Sequence, residues 1–220
     1  MEEIFHIAID GPAGSGKTTI ANKLASKLNI LYLSTGSIYR AFGLYCKQLG
    51  LDPKQEESAQ RVIDADVKCA CENGSQKIFL NGENVSEEIY NEEIASYASL
   101  ISQHKVVREK CVDIQRTIAE KQSMVVDGRD IGSVVLPKAK YKFYLDADVN
   151  ERAKRRYKDL IKKNPKISFD EVLEDLKQRD YNDINRKLSP LVLCEDAVKI
   201  DSTYLTIDEV VDKFVEIINK

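Results

Sequence analysis

Residues 11–18 read Gly-Pro-Ala-Gly-Ser-Gly-Lys-Thr and fit the pattern G-x-x-x-x-G-K-[ST] at every position. The apolar run "IFHIAI" (4–9) precedes the pattern and reads as a buried strand. A helical pattern follows from Lys17 to Leu28, with Ile20, Leu24 and Leu28 on one face. Glycine lets such a turn curl so that successive backbone N–H groups point at an anion. The helix N-terminus adds partial positive charge. A chance glycine turn is the alternative, and it explains neither the lysine nor the flanking strand and helix. The reading predicts a phosphate-binding loop in which Gly11, Pro12, Ala13, Gly14, Ser15, Gly16, Lys17, Thr18 and Thr19 hold ATP. Lys17 supplies charge to the β- and γ-phosphates, and the Thr18 hydroxyl is the predicted Mg²⁺ ligand.

The rest of the chain sets this loop in an α/β domain. Further strands are predicted at "ILYL" (30–33), "SMVVDG" (123–128), "YKFYLDA" (141–147) and "AVKID" (197–201). Helical patterns lie between them: 36–50 with Gly50 as a stop, 87–101, 105–121, and stretches opened by "DVNE" (148–151), "SFDE" (168–171) and "TIDE" (206–209), each resembling a capping box. Asn164-Pro165 breaks the helix begun at 148–151. Apolar strands alternating with helices imply a parallel sheet covered on both faces. Residues 66–85 differ. They alternate around Asn73-Gly74 and predict an antiparallel hairpin, inserted and docked on its neighbours.

Composition limits the partners. The chain has 220 residues, suited to one domain, with 43% apolar and 31% charged residues and a net charge of −3. That balance argues against a nucleic-acid coat. No run approaches the length of a membrane span. The start "MEEIFHIAI" is acidic and enters a strand, unlike a signal peptide. The cysteines (Cys46, Cys69, Cys71, Cys111 and Cys194) are odd in number and form no CxxC, so reduced thiols and a cytoplasmic location are expected. Cys69 and Cys71 share a strand face and read as apolar thiols rather than metal ligands. His6 reads as a packed or edge residue. Nothing suggests a coiled coil, and a monomer is expected.

Three classes use such a loop. A GTPase switch needs a late N-K-x-D, which this chain lacks. A remodelling ATPase needs a strand ending in paired acids, and "MVVDGRD" offers one aspartate followed by glycine and arginine. A small-molecule kinase needs a second, arginine-rich pocket for an anionic acceptor. Candidates stand near the C-terminal ends of strands, where α/β sheets bind ligands: Thr35, Tyr39 and Arg40 after the second strand, and Asp127, Arg129 and Asp130 after another. Arg179, Asp183 and Arg186 fall on one face if their helix runs that far. Surface ion pairing is the competing explanation for that last set. Arg152, Arg155 and Arg156 in "ERAKRRYK" (151–158) share a helix face. They are either a solvated basic surface or a lid closing over donor phosphates.

The chain resembles the bacterial cytidylate kinases of the nucleoside monophosphate kinase superfamily. The resemblance rests on "IDGPAGSGKTT", "TGSIYRAFG", "VVDGRDIGSVVLP", "KFYLDADVNERAKRR" and "LKQRDYNDINRKLSPL", and runs nearly end to end. It implies one P-loop kinase domain over 1–220, with a monophosphate-binding region over about 34–122 and a lid over about 151–183. It implies transfer of the γ-phosphoryl group of ATP to CMP or dCMP with Mg²⁺, leaving UMP or another small anionic acceptor as the runner-up. It places Thr35, Tyr39, Arg40 and Arg129 around the acceptor phosphate, and Ser99, Arg108 and Asp130 around the cytosine and its phosphate. Arg179 and Asp183 fall near sugar and phosphate, and Arg186 at a further acceptor position. Lys17, Arg129, Arg152, Arg156 and Arg179 are the groups expected to assist transfer. The chemistry agrees: a carboxylate suits the cytosine N4 amino donor, and arginine and hydroxyl suit its acceptors.

Overall fold

The computed structural model describes residues 4–72, 75–162 and 164–220; the turn at Asn73-Gly74 lies outside them. Five strands form one sheet: β1 (His6–Asp10), β2 (Leu31–Ser34), β6 (Met124–Gly128), β7 (Tyr141–Asp146) and β8 (Val198–Asp201). Their order is β2-β6-β1-β7-β8 and every pairing is parallel. The chain leaves β1 toward one edge and β6 toward the other. The crevice at the C-terminal ends of these two adjacent strands is therefore the switch point where open α/β sheets bind ligands.

Alternation along the strands divides the core. Ile7, Ile9, Val125, Phe143 and Leu145 face α1 (Lys17–Leu28) and α8 (Ile207–Ile218). Phe143 stacks on Phe214 with ring centroids 4.1 Å apart. Burying each of these rings contributes about 1.5–3 kcal/mol. Ala8, Leu33, Met124 and Val126 face the other layer, built on α2 (Thr35–Gln48) and α5 (Lys105–Ala119). Gly50 ends α2 at φ 64°, its N–H donating to the Lys47 carbonyl over 2.9 Å. His6 is packed, its Nε2 2.9 Å from the Ala119 carbonyl oxygen.

The insertion carries one strand more than expected. β3 (Val67–Glu72) and β4 (Ser75–Leu80) form the antiparallel pair, and the short β5 (Glu83–Asn84) extends it. Gln76 docks it on the main sheet by accepting from Ser34 N over 2.8 Å. A short helix, α3 (Glu56–Val62), has too few residues to show a periodic stripe and is not evident in the sequence. The helix predicted from 87 begins later, as α4 (Glu92–Ile101). Asn91 caps it, accepting from Ile94 N over 2.9 Å, which fixes Asn91 in extended backbone.

The two helices of the expected lid are α6 (Val149–Leu160) and α7 (Phe169–Asn185). Ser168 and Thr206 form reciprocal capping boxes with Glu171 and Glu209. Asp148 caps α6 in one direction only, and Glu151 turns to Lys154 instead. The helix α6 ends at Leu160, before Asn164-Pro165 is reached. The helix α7 includes Arg179 and Asp183 but ends before Arg186, whose ψ of 141° is extended. Among the described residues no helix is long and apolar enough to cross a membrane.

Candidate active site

The phosphate loop turns out of β1 on backbone that only glycine adopts without strain. Gly16 has φ 90°, and a Cβ on Gly11 would stand 2.1 Å from the Leu145 carbonyl oxygen. Lys17 curls back into this loop. Its Nζ donates to Pro12 O over 2.6 Å and to Ser15 Oγ over 3.2 Å. Burial, and then the neighbouring Arg129 charge, lower its pKa to about 7.

Thr18 Oγ1 donates to Asp127 Oδ2 over 3.1 Å, and the Tyr32 hydroxyl donates to Asp127 Oδ1 over 2.8 Å. Burial and the Asp127 charge raise the Tyr32 pKa, keeping that hydroxyl protonated. This hydroxyl–carboxylate pair is a hard oxygen donor set suited to Mg²⁺, which keeps several waters and shares its remaining positions with phosphate oxygens. Among the described residues no cluster of three or more His, Cys, Asp or Glu forms a self-sufficient metal cage.

A second recess opens beside the loop, between β6, α2, α4, α5 and α7. Every acceptor-site residue named from the sequence lines it: Thr35, Tyr39, Arg40, Ser99, Arg108, Arg129, Asp130, Arg179, Asp183 and Arg186. Thr35 Oγ1 donates to the Asp127 carbonyl over 2.8 Å. Arg40 Nη1 donates to Ile89 O over 2.9 Å, and its guanidinium lies over the Tyr90 ring. Burial and the nearby Arg179 bring the Arg40 pKa down to about 10.

The floor is a chain of alternating charges. Arg108 Nη2 donates to Asp130 Oδ2 over 2.5 Å, and Arg186 Nη2 stands 3.5 Å from Asp130 Oδ1. Arg129 Nε donates to Asp183 Oδ2 over 2.7 Å. Arg108 Nε and Arg186 Nη2 are buried without a hydrogen-bond partner. Such donors are costly to leave unpaired, and both belong to residues that line the recess.

The two recesses share a wall. Thr18, Arg40, Asp127, Arg129 and Arg179 line both. Three arginines thus stand between the two recesses, and Lys17 lines the one beside the loop.

The lid arginines separate into different roles. Arg156 lines the donor recess and pairs with Glu92. Arg155 also lines it, while donating to Ser202 O over 2.6 Å. Arg152 corrects the sequence reading. It is buried beneath the phosphate loop, 2.7 Å from Asp180 Oδ2, and donates to Ala13 O over 2.7 Å and Ala147 O over 2.9 Å. Its side chain points inward because the Ala13, Ala153, Val172 and Leu176 layer draws that face of α6 against the loop.

Sequence reasoning missed several contributors. Asp10, at the end of β1, accepts from Ile131 N and Gly132 N, each over 2.8 Å, and aims the segment after β6. Burial lifts its pKa to about 6. An acid ending a strand just before the phosphate loop was the available signal. Asp180 stands in the block "LKQRDYNDINRKLSPL" but takes no role in the reading of it, and Glu92 had no local signal, because their partners are distant in sequence.

A family model described as cytidylate kinase matches residues 7–220. The chain belongs to the cytidylate kinase family. It is 46% identical over 214 residues to the cytidylate kinase of Caldanaerobacter subterraneus subsp. tengcongensis, covering 97% of this chain and 94% of that one. The cytidylate kinase of Bacillus subtilis is 41% identical over 221 residues, covering 100% and 99%. Among solved structures, shikimate kinase from Bacteroides thetaiotaomicron matches with a TM-score of 0.50 at 11% identity, covering 99% of this chain and 100% of that one. An uncharacterized protein from Eubacterium ventriosum matches with a TM-score of 0.52 at 16% identity, covering 99% of each chain. These likenesses concern the fold. In this chain, the sheet and the helices on both its faces are those of a P-loop kinase.

Proposed function

We propose that this kinase transfers the γ-phosphoryl group of ATP to CMP, giving ADP and CDP, and accepts dCMP in the same recess. The observation that carries the reading is the shared wall of Arg40, Arg129 and Arg179 between the phosphate loop and a second recess lined by further arginines and aspartates. A switch or remodelling ATPase has no use for that second recess. A phosphate oxygen of CMP attacks the γ-phosphorus in line, while the bond to the bridging oxygen of ADP breaks. Several negative charges converge as this happens. Lys17 and the three arginines neutralise them, and no protein nucleophile is needed. Thr18 and Asp127 would hold Mg²⁺, which would supply further charge neutralisation when bound.

On this reading Asp130 accepts from the cytosine N4 amino group and Arg108, its partner in the recess, donates to an acceptor on the base; that both side chains line the recess supports it. Uracil presents an oxygen where cytosine presents that amino group, so it meets the carboxylate unfavourably. On this reading residues about 34–122 form the monophosphate-binding region, and about 151–183 the lid. A coupled assay with ATP, Mg²⁺ and a panel of monophosphates tests the assignment. CMP and dCMP are expected to be turned over well, UMP poorly, and nucleotide hydrolysis without an acceptor to be slow. Rapid hydrolysis with no acceptor dependence would overturn it. A net charge of −3 argues against nucleic acid as a partner, and the sequence has no apolar run of membrane-spanning length. We expect a cytoplasmic monomer, checked by sedimentation and fractionation.

A further inference from the structure

Both backbone polar groups of Ala13, in the middle of the phosphate loop, are held by side chains of the lid helices. Ala13 N donates to Asp180 Oδ1 over 3.1 Å, and Ala13 O accepts from Arg152 Nη1 over 2.7 Å. Asp180 Oδ2 and Arg152 Nη1 are themselves 2.7 Å apart, with side chains only 14% and 6% exposed. A ring of contacts therefore joins α6, α7 and the loop. The apolar layer of Ala13, Ala153, Val172 and Leu176 lies beside it. Approach is close: a Cβ on Gly14 would be 3.5 Å from both Arg152 Cβ and Leu176 Cδ2.

Neither Asp180 nor Arg152 lines either recess. What they hold does. The residue before Asp180 is Arg179, on the shared wall, and three residues beyond it Asp183 clamps Arg129. The helix α7 is continuous through all three positions. A helix moves as one body over a single turn, so the attachment of Asp180 to Ala13 fixes where Arg179 and the Asp183–Arg129 pair stand relative to the donor phosphates.

We infer that Asp180, paired with Arg152, is the positioning residue that couples the two nucleotide sites. ATP phosphates order the loop around Ala13. Through Asp180 that order reaches α7, and with it the arginines that receive the acceptor. An acceptor arriving second then pays less to organise its site. By linkage, the donor must gain from the acceptor by the same factor. This inference rests on the kinase reading above.

The test is calorimetric titration of CMP, with and without a saturating non-hydrolysable ATP analogue and Mg²⁺. The proteins are wild type, Asp180→Asn, and the double variant Arg152→Met/Asp180→Leu. The double variant removes both charges together, so it leaves no buried ion unpaired if the single variant fails to fold. In wild type the analogue is expected to tighten CMP about fivefold or more. In both variants that factor should fall below twofold, with CMP affinity in the absence of analogue changed less than threefold. A structural brace alone would lower the melting temperature and leave the coupling factor as it was. An unchanged factor in the folded double variant, or no coupling in wild type, overturns the inference. Turnover of CMP by wild type is measured separately, so an active kinase with unaltered coupling refutes this inference and spares the kinase reading.

Discussion

Lys17 Nζ lies 2.6 Å from the carbonyl oxygen of Pro12, within the loop it serves. Its ammonium waits desolvated, with a pKa near 7, and Arg129 adds a like charge. Arriving phosphates reverse that balance and favour the protonated form. Binding of ATP at pH 8 should therefore take up close to one proton. Titrations in buffers of different ionisation enthalpy measure this directly. Lys17→Ala should abolish the uptake, and wild type binding ATP with no proton uptake would contradict the lowered Lys17 pKa.

The same shift fixes how stability varies with pH. The unfolded chain binds the Lys17 proton up to its ordinary pKa of 10.5, whereas the folded chain releases it near 7. The unfolded state then holds more protons in that window, and folding stability should rise with pH from about 7 to about 10.5, by up to about 1.4 kcal/mol per unit from this group. Asp10 acts oppositely. Its pKa rises on folding from 3.8 to about 6, so stability should fall as pH climbs through that interval. Denaturant melts across pH check both slopes, and Lys17→Met should flatten the alkaline one.

For catalysis, Lys17→Ala should leave a folded protein that has lost about 10²-fold or more in turnover, since one charge on the transferring group disappears. Circular dichroism and the coupled assay together check this. Near-normal turnover would remove the loop from the chemistry.

Arg156 and Arg152 should behave differently although both lie on α6. Arg156 reaches the donor recess and makes only a partly exposed pair with Glu92. Arg156→Ala should lower kcat more than it weakens ATP binding, with little effect on melting. Arg152→Ala leaves Asp180 without its buried partner and should cost about 3–5 kcal/mol of stability. Equal losses of stability in the two variants would show that the helix face was assigned wrongly.

The contrast between those arginines shows what sequence makes legible. The phosphate loop was readable because its whole chemistry sits in consecutive residues, with glycines where the backbone turns left-handed. Thr35, Tyr39, Arg40, Arg129 and Asp130 were readable from short blocks after strands, since the ends of parallel strands converge, whereas Ser99 and Arg108, inside helices, were reached only through the resemblance. Three arginines at helical spacing gave no sign that the first would turn under the loop. That depends on Ala13, Val172 and Leu176 packing against α6. Asp180 meets Ala13 across 167 positions, and such a pair leaves no local pattern. The seven-residue α3 and the two-residue β5 are too short for periodicity to register.

The reading of the base is the central claim, and Asp130 carries it. Arg108 and Arg186 hold this carboxylate, whereas Arg129 pairs with Asp183, so Asp130 does not serve as a brace for Arg129. A wrong base leaves buried polar groups unpaired, at about 1–3 kcal/mol per group. Wild type should therefore prefer CMP to UMP by roughly tenfold to a hundredfold or more. Asparagine can donate to the uracil oxygen, while Arg40→Ala, which touches only the phosphate side, should depress both substrates alike. The measurement is kcat/KM for CMP and UMP in wild type and Asp130→Asn. The account predicts that the variant loses CMP turnover and narrows its gap to UMP; an unchanged CMP-to-UMP ratio would contradict it.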